Sequence, residues 1–310
     1  MAKYYVGTAG WSYEDWEGIV YPRVKGRGFH PLDYLAGFIN IIEVNSTFYR
    51  PAPPAMVRAW LKRLEPHPDF LLSLKLYQAF THPREGFSQK EVDEVRTAAD
   101  LVLLQNRLAA LLVQFPWSFR NTPQNAEYVA RLLDLFAGYP LAVEVRHASW
   151  DRPEFYDLLA SRKAAFCNID QPVIDASIKP SAVSTTPDFA YVRLHGRNYK
   201  NWFRADAGRD ARYDYLYAHD ELEDWVSRIK ELGAKSGKVY VITNNHYRGQ
   251  AMANALQIRN MITGEKVDVP ELMLEKYPIL RDIVRAIKAG QRELFGPETP
   301  EGNDDQGEPS

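Results

Sequence analysis

The stretch IIEVNSTFYR (41–50) begins as an apolar strand, yet Glu43 and Asn45 interrupt it two positions apart. Successive strand side chains point to opposite faces, so these two share one face. A carboxylate and an amide aimed at what reads as a core require a reason, and the reason depends on the fold around them.

Seven further apolar runs of strand length accompany this one: YYVGTA (4–9), FLLSLKL (70–76), AALLVQF (109–115), LAVEVR (141–146), AAFCNI (164–169), FAYVRLH (189–195) and KVYVITN (238–244). Helical patterns stand between most of them, at 53–64, 89–102, 125–137, 153–163, 220–234 and 249–263. Tyr128, Leu132, Leu135 and Phe136 recur at helical spacing, which gives the third of these an apolar face. Strands alternating with helices imply a parallel sheet, and eight of them match a closed single-domain (β/α)8 barrel over residues 1–290. An open doubly wound sheet is the alternative. The segment 277–290 reads as a closing helix. Two segments, 11–36 and 196–219, exceed ordinary loop length and are expected as extended loops at the C-terminal face of the barrel.

The totals bound the rest. The chain has 310 residues and a net charge of −2, with 45% hydrophobic and 25% charged residues, as soluble globular proteins do. A near-neutral charge argues against a uniformly basic nucleic-acid surface. The segment 291–310 is acidic and has little apolar surface to bury, so it reads as a disordered tail. One cysteine, Cys167, excludes an intrachain disulfide and fits a reducing cytoplasm. No signal core and no membrane-length apolar run is present. The expected location is cytoplasmic.

In a barrel, inward side chains alternate with helix-facing ones. With Glu43 and Asn45 inward, parity adds Thr8 and Gly10, Ser73 and Lys75, Gln114, Glu144 and Arg146, Asn168 and Asp170, Arg193 and His195, and Asn244 and His246. Polar groups thus gather at the C-terminal strand ends, where barrel active sites are built. The interruption in IIEVNSTFYR is then a strand reaching the barrel mouth. The competing reading is a buried ion network that only fixes the fold, since buried charges must be paired.

Several motifs carry a resemblance: GTAGWSYEDWEGIVYP (7–22), EVNSTFYRPA (43–52), LVQFPWSF (112–119), AVEVRHASW (142–150), YVRLHGRN (191–198), YDYLY (213–217) and ITNNHYRGQAMANA (242–255). In order and over nearly the whole chain, they resemble the YecE-like family, a bacterial and archaeal domain of unknown function (domain of unknown function 72). The resemblance implies a TIM-type barrel and supplies no reaction. Its motif positions fall on Glu43, Asn45, Lys75, Glu144, Arg146, His147, His195, Asn244 and Asn245. An acidic residue is expected in some members where this chain has His246, which weakens the case for His246 as a ligand or base.

The pattern of residues points first to hydrolase- or lyase-type acid–base chemistry on a small anionic or sugar-like ligand. Glu43 and Glu144 are the expected acid or base, His195 a proton shuttle, and Lys75 a further catalytic cation. Arg146 and Arg193 would hold an anion by bidentate contacts. Asn45, Asn244, Asn245 and Asp170 would orient the ligand, and Trp11 and Tyr49 would wall it. No cofactor is expected. A divalent metal on Glu43, Glu144, Asp170, His195 and His246 is the alternative, as in sugar-isomerase or phosphodiesterase barrels, although three cations in one mouth oppose it. A Schiff base on Lys75 is another option, although an ion pair with Glu43 or Glu144 would keep the lysine protonated and is the expected state. A non-enzymatic alternative is nucleic-acid binding by 195–217, where basic and aromatic residues interleave; packing of that segment on the barrel rim is the plainer reading. Gly249, near a helix start, is a weak candidate for receiving an anion.

Overall fold

The computed structural model describes residues 2–82, 86–202, 204 and 209–285, without the side chains of 209 and 210. Eight parallel strands close into a barrel in sequence order: β1 (Lys3–Ala9), β2 (Ile41–Val44), β3 (Leu71–Lys75), β4 (Leu108–Gln114), β5 (Leu141–Glu144), β6 (Ala165–Asp170), β7 (Ala190–Leu194) and β8 (Lys238–Thr243). β8 pairs with β1 over six residues, from Lys3 opposite Lys238 to Thr8 opposite Thr243, and this pairing seals the cylinder. Gly7 lies where β1 approaches β2 closely. A Cβ there would sit 1.8 Å from the Ile41 carbonyl oxygen, so no other residue fits.

Helices Pro54–Arg63, Gln89–Leu103, Pro123–Leu135, Pro153–Ser161, His219–Lys235 and Gln250–Thr263 surround the sheet. Local chemistry sets their starts. Ser88 and Glu91 form a reciprocal capping box, and the Thr122 hydroxyl accepts from the Asn125 amide with Pro123 at the first helical position. The helix Gln250–Thr263 begins after Gly249 at φ 84°. A Cβ on Gly249 would lie 2.7 Å from Val20 Cγ2, so this glycine serves a left-handed turn packed under the first long loop. Among the described residues, no helix is long and apolar enough to cross a membrane.

Three expectations are corrected. The segment 277–290 is not one closing helix. Its described part is a 3-10 turn, Pro278–Asp282, after which Val284 pairs in parallel with Val267. Backbone bonds from Val267 N to the Ile283 carbonyl and from Arg285 N to the Val267 carbonyl hold this stretch extended. Residues 286–290 and the expected tail 291–310 lie outside the described residues. The second correction concerns β6. The connection from β6 to β7 contains no helix, so irregular chain covers the outside of the barrel there. Irregular backbone needs hydrogen-bond partners. Asn168 supplies them: its amide donates to the Val183 carbonyl and its oxygen accepts from Val183 N and the Ser181 hydroxyl. Register then puts Cys167 and Ile169 in the lumen, opposite Tyr191 and Arg193. Asn168 and Asp170 point outward, against the parity expectation.

The same register argument corrects β1. Ala9 pairs with Glu43, so Ala9 and Gly7 face the lumen while Thr8 faces away. Gly10, just past the strand, still reaches the mouth.

Candidate functional site

Ion pairing fills the middle of the barrel. The Arg193 guanidinium donates from Nη2 to Glu43 Oε1 at 2.6 Å and from Nη1 to Glu144 Oε2. The three residues come from β7, β2 and β5, so one guanidinium ties together strands far apart in sequence. Arg146, just past β5, donates from Nε to Glu144 Oε1 at 2.8 Å. The Tyr191 hydroxyl lies 3.1 Å from Glu43 Oε2 and 2.8 Å from Ser73 Oγ. Glu43, Glu144 and Arg193 are all buried. Burial alone would raise the Glu144 pKa, but Arg193, Arg146 and His195 hold it well below the usual carboxylate range. It is therefore a carboxylate at neutral pH, with both oxygens engaged.

His195 continues this network. Its Nδ1 faces the Asn244 side-chain amide at 2.9 Å, and its Nε2 lies 3.3 Å from Glu144 Oε1. With Asn244 donating to Nδ1, the ring proton sits on Nε2 and is donated to Glu144. Burial lowers the His195 pKa to about 3, although Glu144 opposes the shift. His195 is a neutral donor near pH 7, an arrangement that suits positioning Glu144 better than shuttling protons.

Above this layer opens a cavity of about 420 Å³. Lys75, Arg146 and Arg193 line it, together with Asn45, Gln114 and Asn244. Its walls are aromatic. Trp11 and Trp60 meet edge to face with ring centroids 5.6 Å apart, and Phe48 and Tyr49 come from the short helix after β2. Opposite them, His246 stacks on Tyr13 at 4.6 Å and lies 5.0 Å from Tyr213. Glu43 and Glu144 do not line the cavity. They lie beneath it as counter-ions of the arginines.

Lys75 stands apart from the other cations. Its Nζ lies 4.1 Å from the centre of the Phe48 ring. The two nearest candidate partners, Glu43 and Glu144, are held by Arg193 and Arg146 instead. Burial and the Arg193 charge push the Lys75 amine down to about 7, despite the opposing pull of Glu43 and Glu144. The sequence suggested an ion pair that keeps this lysine protonated; no such pair forms among the described residues.

Ten of the twelve candidate site residues therefore belong to the cavity or to the network under it. Asp170 and Asn245 do not. Asp170 receives Arg197 Nε at 2.9 and 3.1 Å on the outside of β6, and Arg197 also reaches Glu221 at 2.8 Å. Asn245 donates to the Tyr215 carbonyl and to Asn254, both at 2.8 Å. His147 caps a 3-10 turn by accepting from Ser149 N, and the sole cysteine is buried in the lumen. Phe48, Met56 and Trp60 escaped the sequence reading. Only the adjacency of Phe48 to Tyr49 hinted at a wall; Met56 and Trp60 look like ordinary residues of an amphipathic helix.

The segment 195–217 packs on the rim where it is described. Trp202 is buried, 5.7 Å from the Arg146 guanidinium carbon and 6.2 Å from the His195 ring. Tyr215 and Tyr217 contact each other at 5.1 Å, and Tyr199 is exposed. Phe203, residues 205–208 and the side chains of Arg209 and Asp210 lie outside the described residues. Among the described residues, no group of three or more His, Cys, Asp or Glu side chains is assembled as a metal site.

Known proteins share this architecture and sequence. The family model described as "Protein of unknown function DUF72" matches residues 5–276. The chain belongs to this family. A curated relative, the UPF0759 protein YunF of Bacillus subtilis (strain 168), is 31% identical over 273 residues, covering 83% of this chain and 94% of the relative. The crystal structure of a DUF72 family protein from Thermotoga maritima is 35% identical with a TM-score of 0.73, covering 84% of this chain and 99% of that one. A second, from Enterococcus faecalis, has a TM-score of 0.74 at 24% identity, covers 86% and 98% of the two chains, and speaks for the fold alone.

Proposed function

We propose that this DUF72 barrel binds a small anionic or sugar-like ligand in its mouth and performs hydrolase- or lyase-type acid–base chemistry on it. The observation that carries the reading is the vertical separation of charge. Lys75, Arg146 and Arg193 face the cavity, whereas Glu43 and Glu144 lie buried beneath it. A phosphate, a carboxylate or a developing anionic charge would meet guanidinium donors from above while the carboxylates fix those donors from below. Arg146 uses Nε for Glu144 and has Nη2 3.5 Å from His195 Nε2, which leaves Nη1 for a ligand. Arg193 lines the cavity, and among the described residues its Nε is buried without a partner. The aromatic walls suit the flat or apolar face of a sugar or base.

The acid–base role expected of Glu43 and Glu144 passes to Lys75 in this reading. A general acid or base needs a pKa near the working pH and access to the ligand. Glu144 has neither, because its ion pairs hold it ionised and occupied. Lys75 has both, since it lines the cavity with a pKa of about 7. Arg146 and Arg193 would bind and stabilise charge, and Asn45, Gln114 and Asn244 would orient the ligand.

Isothermal titration with a panel of sugar phosphates and inorganic phosphate tests the reading. Saturable binding that Arg146→Met weakens about tenfold or more, the value of one charged hydrogen bond, supports it. Binding that ignores this substitution overturns it.

A further inference from the structure

Lys75 differs chemically from the lysines on the surface of the barrel. Lys3, Lys25 and Lys235 each sit in an exposed ion pair, with Asp69, Glu17 and Glu231 respectively. Lys75 is partly buried, faces a cavity, rests against the Phe48 ring and has lost its carboxylate partners to Arg193 and Arg146. Two guanidinium groups line the same cavity. An amine kept from ion pairing, in an apolar-walled pocket beside anion-binding groups, is equipped to attack an electrophilic carbon.

We propose that Lys75 is a nucleophile that condenses with an aldehyde or ketone carrying a phosphate or carboxylate group, forming an imine in the barrel mouth. This rests on the anionic-ligand reading above and adds the electrophile to it. The Nζ lone pair forms a bond to the carbonyl carbon, and the C=O π pair moves onto oxygen. One amine proton passes to that oxygen to give a carbinolamine. The C–O bond then breaks as the second amine proton leaves with the hydroxyl as water, and the nitrogen lone pair closes the C=N bond. No oxidant or reductant is required. Arg146 and Arg193 hold the anionic group of the ligand and stabilise the transient alkoxide. Asn45 and Gln114 offer amide groups to the departing oxygen. The amine titrating at about 7 leaves a substantial free-base fraction at neutral pH.

Borohydride trapping tests the proposal on the full-length protein. Dihydroxyacetone phosphate and pyruvate are the carbonyl probes, and glycerol 3-phosphate and lactate are their non-carbonyl counterparts. Peptide mass mapping should find one reduced adduct per chain, on Lys75, with a labelling rate that rises with pH through about 7. Glycerol 3-phosphate should protect against labelling by dihydroxyacetone phosphate, and Arg146→Met should slow it about tenfold. Lys75→Met should abolish the adduct. The wild-type map stands by itself if that variant folds poorly. Adducts spread over Lys3, Lys25 and Lys235, with none on Lys75, would overturn the proposal. If glycerol 3-phosphate binds in an Arg146-dependent manner while neither carbonyl probe labels Lys75, the imine is wrong and the anion site stands. If neither probe nor counterpart binds, both fall.

Discussion

Arg193 inside the barrel and Lys75 at the mouth above it are cations aimed into the same lumen, and they differ in one respect. Arg193 has two carboxylates, Glu43 and Glu144, within hydrogen-bond distance, whereas Lys75 has the face of Phe48. The first arrangement is a closed account of charge. The carboxylates hold the guanidinium, and the guanidinium helps keep Glu144 ionised. The second leaves an amine whose protonated form is unfavourable because burial strips its water and Arg193 repels it. The number of charges in a barrel is thus a poor guide to reactivity. Depth decides it, because both terminal nitrogens of Arg193 go to its carboxylates one layer down and only its Nε is left over, while an amine at the mouth is left whole for a ligand.

The sharpest way to break this contrast is to remove a counter-ion. Glu144→Gln leaves Arg193 and Arg146 without one of their carboxylates in a buried setting, and the expected loss is about 3–5 kcal/mol of stability. A loss of unfolding free energy in urea of less than about 1 kcal/mol, the worth of an exposed pair, would mean that the network is not closed off from water. Loss of activity alone in this variant, with stability intact, would restore Glu144 as the acid or base.

Removing the unpaired cation should act in the opposite direction. The folded pKa of Lys75 is lowered from 10.5 to about 7, so the unfolded chain binds more protons between those values. Stability of the wild type should therefore rise with pH across that window and be lowest, as far as Lys75 is concerned, below about 7. Lys75→Met removes the penalty and should stabilise the protein by about 1–3 kcal/mol at pH 6.5, less at pH 9.5, while abolishing activity. Urea midpoints at the two pH values check the sign.

His195 supplies a smaller effect on the acid side. Its pKa is lowered from 6.5 to about 3, so the unfolded chain again binds more protons between those values. Stability should fall as pH drops from about 6.5 towards 3, and His195→Gln should flatten that fall by about 1–2 kcal/mol. The readout is the difference in slope, which a simple packing defect would not change. Phe48→Leu is the mildest test. Loss of the ring removes about 0.5–1 kcal/mol of cation–π support for the ammonium, which lowers the Lys75 pKa by about half a unit. An unchanged titration would show that the ring contact does not act on the amine.

Much of this fold was legible in the chain. The strands of IIEVNSTFYR, FLLSLKL and LAVEVR announced themselves by apolar runs, and six helices by the helical patterns between them. Parity placed Glu43, Lys75, Glu144, Arg193 and Asn244 on the lumen side. It failed on β6, where polarity was taken as the sign of the inner face. Asn168 and Asp170 are polar because irregular chain and Arg197, rather than an apolar helix, cover the outside of that strand. It failed on β1 because Thr8 and Ala9 are both small, and only register with Glu43 separates them. The depth of each group was not legible at all. Glu43 is level with Ser73 and one step below Lys75, a relation set by the stagger of neighbouring strands. That stagger decides which charges are buried counter-ions and which line the cavity. The wall residues Met56 and Trp60 were hidden for a related reason, since their helix faces both the core and the mouth.

The measurement that bears most directly on the central claim is the titration of Lys75 itself. NMR of protein carrying lysine labelled with carbon-13 at Cε, with Lys75→Met to assign the resonance, gives its pKa in the folded chain. An apparent pKa near 7 would place an unpaired, reactive amine in the mouth, as the separation of buried carboxylates from cavity-lining cations requires. A value at or above the ordinary 10.5 would mean that Glu43 or Glu144 pairs with Lys75 after all, and that the charges form one structural network with no group set aside for chemistry.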